Sequence, residues 1–167
     1  MTLSLFFIQL LNGLQLGVLL FMLSAGLTLV FGIMSFVNLA HGCLYMMGAY
    51  FAATVYAATD SFVAAGVAAV VGGGILAAVV EWVVARPLYT RDHLDHVLAT
   101  FGLILFFNEL ARWVWGASPL YMNVPPALSG TIDVLGVMYP MYRFAIISAG
   151  LLAALGCYLL IAKTRVG

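Results

Sequence analysis

The chain reads as long apolar runs separated by short polar breaks. Residues 5–33 carry no charged side chain over 29 positions. As one helix that run is roughly 44 Å long at about 1.5 Å per residue, against a hydrocarbon core of about 30 Å. It is therefore expected to tilt, protrude or break near its glycines, and the favoured form is one long span running into a break near residues 34–42. Gly13 and Gly17, with Gln9 and Asn12 nearby, have the four-residue spacing of close helix packing. Residues 44–59 make a second span, striped by Ala49, Ala53 and Ala57, and Asp60-Ser61 a very short turn. Residues 62–84 make a third span centred on Gly72, Gly73 and Gly74. Three such glycines weaken a helix by about 1 kcal/mol each in water, which suggests either a bend or a neighbour packed on bare backbone. Residues 97–116 and 141–162 complete the set, the last with small residues at Ala145, Ala149 and Ala153. The pattern predicts an all-α polytopic membrane protein of about five transmembrane helices.

The breaks hold the chemistry. Ser35, Asn38, His41 and Tyr45 gather hydrogen-bonding side chains within apolar sequence, and at membrane depth each must find a partner in protein or trapped water. Either Asn38 and His41 cap a sharp turn that Gly42 permits, or the break lines a solute path. Pro87 is expected to end the third helix, making residues 85–96 a polar loop. Within it Asp92, His93, Asp95 and His96 read as an exposed segment with helix-capping aspartates rather than a metal site. Glu109 and Arg112 lie one helical turn apart and are expected to pair near the membrane interface, beside the aromatic belt residues Trp113 and Trp115. Residues 117–140 form the one long linker, with prolines at 119, 125, 126 and 140 and a candidate hairpin of 131–134 and 137–139 about Leu135-Gly136.

Composition agrees: 65% hydrophobic, 7% charged and a mean hydropathy of +1.16 describe an integral membrane protein in contact with membrane lipid. Zero net charge on six basic residues leaves no footprint for nucleic acid. Cys43 and Cys157 read as free thiols packed like small hydrophobes. No Gly-Lys-Ser or Gly-Lys-Thr follows the glycine triplet, and no nucleophile, base and orienting group gather at motif spacing. The chain is thus expected to be neither an ATPase nor another enzyme, with no cofactor. Arg86 and Arg91 follow the third span, Lys163 and Arg165 the fifth, so both basic clusters fall on one side, cytoplasmic by the positive-inside rule. The 85–96 loop and the C-terminus are then cytoplasmic, and the 117–140 loop and the N-terminus outside.

The runs Asn12-Gly13-Leu14, Gly26 to Met34, Asn38-Leu39-Ala40-His41-Gly42, Tyr45-Met46-x-Gly48-Ala49-Tyr50, Arg86-Pro87-Leu88 and Leu94 to Leu103, with Arg143 and the closing Thr164-Arg165-Val166-Gly167, resemble the permease subunits of bacterial branched-chain amino acid ABC importers. The resemblance covers nearly the whole chain, as a single transmembrane permease domain. It implies an inner-membrane, multi-pass subunit that moves branched-chain or other hydrophobic amino acids. It implies as partners a second permease subunit, two ATPase subunits and a periplasmic solute-binding protein. Asn38, His41, Gly42, Tyr45, Gly48 and Tyr50 become candidates for the solute path or helix break, and Gly32, Arg86, Pro87, Thr100, Gly102, Glu109 and Arg112 for structural positions of the motif. Members of the family continue beyond Thr-Arg-x-Gly into a coupling segment and further helices, so the chain is expected to be the N-terminal part of a longer permease. Permeases of the same superfamily for urea, short amides or aromatic acids fit the same residues. A channel or secondary transporter would need intramembrane acids, for which Glu81 and Glu109 are the candidates. A scaffold subunit with no path of its own is a further alternative.

Overall fold

The computed structural model describes residues 3–34, 36–134 and 136–163. Ser35, Leu135 and the closing Thr164-Arg165-Val166-Gly167 motif lie outside the described residues. The chain folds as helices α1 (Leu3–Met34), α2 (His41–Thr59), α3 (Phe62–Val80), α4 (Arg86–Leu88), α5 (His93–Trp115) and α6 (Met141–Lys163), with a π-helical turn at Glu81–Ala85. A 3-10 turn at Pro126–Leu128 and strands β1 (Thr131–Val134) and β2 (Val137–Pro140) precede α6. Helices dominate because in a bilayer only a helix or a closed barrel satisfies the backbone from within. Among the described residues four helical stretches are long and apolar enough to cross a membrane: Leu3–Gly32, Phe62–Leu88, His93–Trp115 and Met141–Leu159. The fifth expected span, α2, is a helix of 19 residues that falls outside this set, its three tyrosines, two threonines and His41 lowering its hydropathy.

Two boundaries differ from expectation. Pro87 does not end the third helix, since α3 continues through the π turn into α4 as far as Leu88. The proline ring lacks an N–H and crowds the carbonyl four residues back. A π turn puts that backbone out of α register, the Arg86 N–H reaching five residues back to the Glu81 carbonyl. The polar loop therefore shrinks from residues 85–96 to 89–92, because α5 already begins at His93. Asp92 takes the N-cap position with extended backbone, although its carboxylate makes no capping bond. Its carbonyl accepts the Asp95 N–H at 3.0 Å. His96, expected in an exposed loop, is 3% exposed inside α5. Among the described residues no group of three or more His, Cys, Asp or Glu side chains is placed to hold a metal ion.

The chain divides into two compact units, residues 26–123 and residues 1–25 with 124–167. In the first, α2 packs along α3 and touches α5. Glycine sets the approach: the place of a Gly48 Cβ is 3.6 Å from the Ala69 carbonyl, and that of a Gly73 Cβ is 3.9 Å from the Gly48 Cα. The glycine triplet thus serves a neighbour on bare backbone, and α3 runs through it without a break. Cys43, Met47, Phe107 and Ala111 form the buried cluster between α2 and α5. Tyr50 stacks on Trp115 with centroids 4.8 Å apart, and the Trp115 indole N–H donates to the Thr54 hydroxyl at 2.7 Å. Both cysteines are free, Cys43 being buried. The turn between α2 and α3 is the two residues expected, with Asp60 left-handed at φ 50° and the Ser61 hydroxyl accepting the Ala64 N–H at 3.3 Å.

In the second unit the expected hairpin forms, pairing Thr131 with Pro140 and Val134 with Val137. Gly136 takes φ 79°, and its N–H donates to the Asp133 carboxylate at 2.7 Å. Tyr139, 1% exposed, donates its hydroxyl to the Asn12 side-chain oxygen at 3.2 Å. Arg143 donates to the same oxygen at 2.6 Å and to the Tyr142 hydroxyl at 2.9 Å. The polar start of α6 is thereby tied to α1. Gly13 and Gly17, expected as a packing face, have nothing within 4 Å in this chain. The close approach instead falls at Gly150 of α6, where an added Cβ would collide with Val18 of α1.

Gly72 and Gly74 make a paired test of this packing. A Cβ at Gly72 would lie 2.7 Å from the Phe51 ring, whereas one at Gly74 meets nothing within 4 Å. Gly72→Ala is expected to destabilise the protein by about 1–2 kcal/mol, strain outweighing helix propensity, while Gly74→Ala is neutral or slightly stabilising. Thermal unfolding in detergent measures both.

Candidate functional site

The site forms where two interruptions of helical backbone face a common space, the 36–40 break and the π turn. Ala40, fully buried, starts α2 by accepting the N–H groups of Cys43 at 3.0 Å and Leu44 at 3.2 Å. Alanine offers no capping side chain, so the start of α2 is held by packing rather than by a cap. Phe36, 3% exposed, anchors the break, with its ring 5.7 Å edge-on to Tyr89 and 4.6 Å from His96. The His41 ring lies against α1 where Gly26 leaves a space. A Cβ there would stand 2.8 Å from Nε2 and 3.0 Å from Cε1.

Between these elements lies a cavity of about 420 Å³ lined by Val30, Phe36, Asn38, His41, Leu44, Tyr45, Ala77, Val80, Glu81, Val84, Ala85, Tyr89, Thr100 and Leu103. Its size is that of a small-molecule site, and its wall is mostly apolar with a few polar groups. The Tyr89 hydroxyl donates to the Glu81 carboxylate at 3.1 Å. Burial first, then the hydrogen bond to Glu81 and its negative charge, push the Tyr89 phenol above its ordinary value, with Arg86 pulling the other way. The phenol therefore stays a proton donor. Thr100, 1% exposed, donates its hydroxyl to the His96 carbonyl at 2.7 Å. His96 Nε2 lies 2.8 Å from the Leu88 carbonyl, which makes it the protonated nitrogen and holds the end of α4 against α5. Two buried polar atoms have no partner among the described residues, Asn38 Oδ1 and His96 Nδ1.

Of the expected path residues, Asn38, His41 and Tyr45 come together on this cavity. Gly42 does not line it; it sits exposed in the first turn of α2, since that helix begins at His41 and the break is shorter than residues 34–42. Gly48 belongs to the α2–α3 contact and Tyr50 to the Trp115 stack, both away from the cavity lining. Among the motif positions Thr100 joins the cavity. Gly32, Arg86, Pro87 and Gly102 are exposed in this chain. Glu109 and Arg112 pair as expected at 3.3 Å, both largely exposed, so the pair adds little stability by itself. Tyr89, Phe36 and Gly26 are site residues that pattern reading did not assign, and Glu81 entered it only as an acid that a channel or secondary transporter would need. Only Glu81 advertises itself, as a carboxylate inside a long apolar stretch.

The family model described as the permease component of branched-chain amino acid transport systems matches residues 9–167. The high-affinity branched-chain amino acid transport system permease protein BraD of Pseudomonas aeruginosa is 27% identical over 173 residues, covering 95% of this chain and 56% of BraD. The correspondingly named LivH of Escherichia coli K12 is 30% identical over 121 residues, covering 65% of this chain and 38% of LivH. LivH of Salmonella typhimurium is 30% identical over 118 residues, with the same coverage of 65% and 38%. The matched region thus spans 56% of the length of BraD and 38% of that of LivH. No solved structure matches it.

The Gly26–His41 contact can be tested by a double-mutant cycle. Gly26→Ala is expected to cost about 1–3 kcal/mol by driving the imidazole from its seat. His41→Ala in the same chain is expected to recover most of that loss, giving a coupling that separated residues do not show. Thermal unfolding of the two single variants and the double variant provides the measurement.

Proposed function

This chain belongs to the family of permease components of branched-chain amino acid transport systems, and we propose that it forms part of the solute path of an ATP-driven importer for branched-chain or other hydrophobic amino acids. It is a multi-pass membrane protein, for which the bacterial inner membrane is the proposed site. ATP hydrolysis is assigned to two separate ATPase subunits, solute delivery to a periplasmic binding protein, and the other half of the path to a second permease subunit. The relatives' names, which specify branched-chain amino acid transport, support the substrate class.

The observation that carries the path assignment is the cavity at the 36–40 break. It has room for a small solute, an apolar wall for an aliphatic side chain, and polar groups contributed by both helix interruptions. Backbone that departs from the α-helix at membrane depth is tolerated where it is buried in protein or lines a cavity, and it recurs at transporter binding sites. For orientation we propose that the 89–92 turn, with Arg86 and Arg91 beside it, and the end of α6 face the cytoplasm. The 117–140 segment with its hairpin then faces outward, as does the N-terminus, with α2 completing a crossing.

Uptake into vesicles containing the complete complex tests the function. Leucine is expected to accumulate only when ATP is supplied on the ATPase side. Transport of urea but not leucine would overturn the substrate class, and leucine flux indifferent to ATP would overturn the importer mechanism. His41→Ala is expected to lower leucine uptake at least tenfold with normal membrane abundance; lost abundance would instead assign His41 to the fold.

A further inference from the structure

We infer that Glu81 is the group of this cavity that recognises a primary ammonium, so that the site selects an aliphatic amine or amino acid over a neutral amide of the same shape. The inference rests on the transport reading above and goes beyond it by assigning the recognising atom. Glu81 is the acidic side chain on the cavity wall. It opens the π turn within the apolar stretch Phe62–Leu88, where an unpaired carboxylate is costly. Its bonded partner among the described residues is a neutral one, the Tyr89 hydroxyl at 3.1 Å. The ion pair found among those residues lies elsewhere, between Glu109 and Arg112. An ionised carboxylate accepts through two oxygens and about four lone-pair sites. One phenolic hydrogen bond leaves most of that capacity open.

A second acceptor points the same way. Asn38 Oδ1 is buried on the same cavity and has no donor among the described residues. A carboxylate and an unpaired amide oxygen on one cavity match a head group that only donates and carries positive charge. A primary ammonium has three N–H donors and no acceptor. Val30, Val80, Val84 and Leu103 supply the apolar wall for the attached chain. A neutral amide would meet the same wall, yet it would leave the Glu81 charge uncompensated and forgo the charge-assisted bond. The π turn fits this role, since such turns within α-helices occur frequently at functional sites.

The test uses the complete complex, purified in lipid nanodiscs, with equilibrium binding and vesicle uptake read in parallel. The probes are leucine, 3-methylbutylamine, which keeps the ammonium without the carboxylate, and 3-methylbutanamide, which is neutral and carries its nitrogen at the same distance from the branch. Expected is binding of the amine and its competition with leucine, with at least tenfold weaker binding of the amide. Glu81→Gln keeps an acceptor for the Tyr89 hydroxyl but loses the charge. It is expected to weaken amine binding roughly 10- to 100-fold and to abolish the preference for amine over amide. Glu81→Asp retains the preference at reduced affinity, and Tyr89→Phe retains it as well. Amide and amine binding equally to the wild-type complex overturns the inference, as does a folded Glu81→Gln variant with unchanged amine preference. Should Glu81→Gln fail to fold, the wild-type comparison and Glu81→Asp decide. Glu81-dependent amine binding without leucine uptake supports the site and overturns the transport reading. Leucine uptake with no amine preference does the reverse.

Discussion

A hydrocarbon environment supplies no water to an open backbone, so every interruption of a membrane helix must be satisfied by the protein itself. This constraint organises the structure. Where helices run unbroken, as in α1 and α6, the side chains are mostly apolar and many are exposed on this chain. Where the helix gives way, at residues 36–40 and at the π turn 81–85, polar side chains collect. Asn38 lies within the first interruption, His41 directly follows it, and Glu81 opens the second. Tyr89 joins them by bonding Glu81 while its ring meets Phe36.

The same constraint explains the part played by small residues. Gly26 makes room for an imidazole, Gly72 for the Phe51 ring, and Gly150 for Val18. In lipid there is little hydrophobic drive between helices, so contact depends on how closely backbones and side chains fit. A single added methyl is therefore felt at these positions and passes unnoticed at Gly74 or Gly102, which face open space in this chain.

Much of the fold was legible in the amino-acid sequence because uncharged runs of membrane length have one economical solution. The hairpin was legible from its flanking strand segments, and the Asp60-Ser61 turn from its polarity. Pro87 misled because its ring breaks an α-helix but not one already shifted into π register. His96 misled because charged neighbours suggested an exposed loop, whereas Phe36 and the Leu88 carbonyl draw its ring inside. Half of the site was readable: Asn38, His41 and Tyr45 stand out as polar groups in apolar sequence. Gly26 and Phe36 were not, since their roles arise from a contact across the chain that no local pattern encodes. Nor was the division among the path candidates, where Tyr50 is taken up by stacking on Trp115.

The π turn carries a further consequence for how this helix tolerates change in length. It holds one residue more than α-helical winding needs, so deleting a single residue among 81–85 would return the backbone to a regular α-helix rather than leave a gap. The flanking segments would nearly keep their relative azimuth, because the turn already absorbs the extra residue. A single-residue deletion in the regular helix on either side would instead turn everything beyond it by about 100°, given 3.6 residues per turn. A deletion at 82–85 would leave Glu81 and Tyr89 about two α-helical turns apart, still on a common face, but Pro87 would meet the carbonyl it now avoids. The turn therefore works as slack in the helix: a residue lost there is felt at the proline, whereas a residue lost elsewhere re-aims the carboxylate.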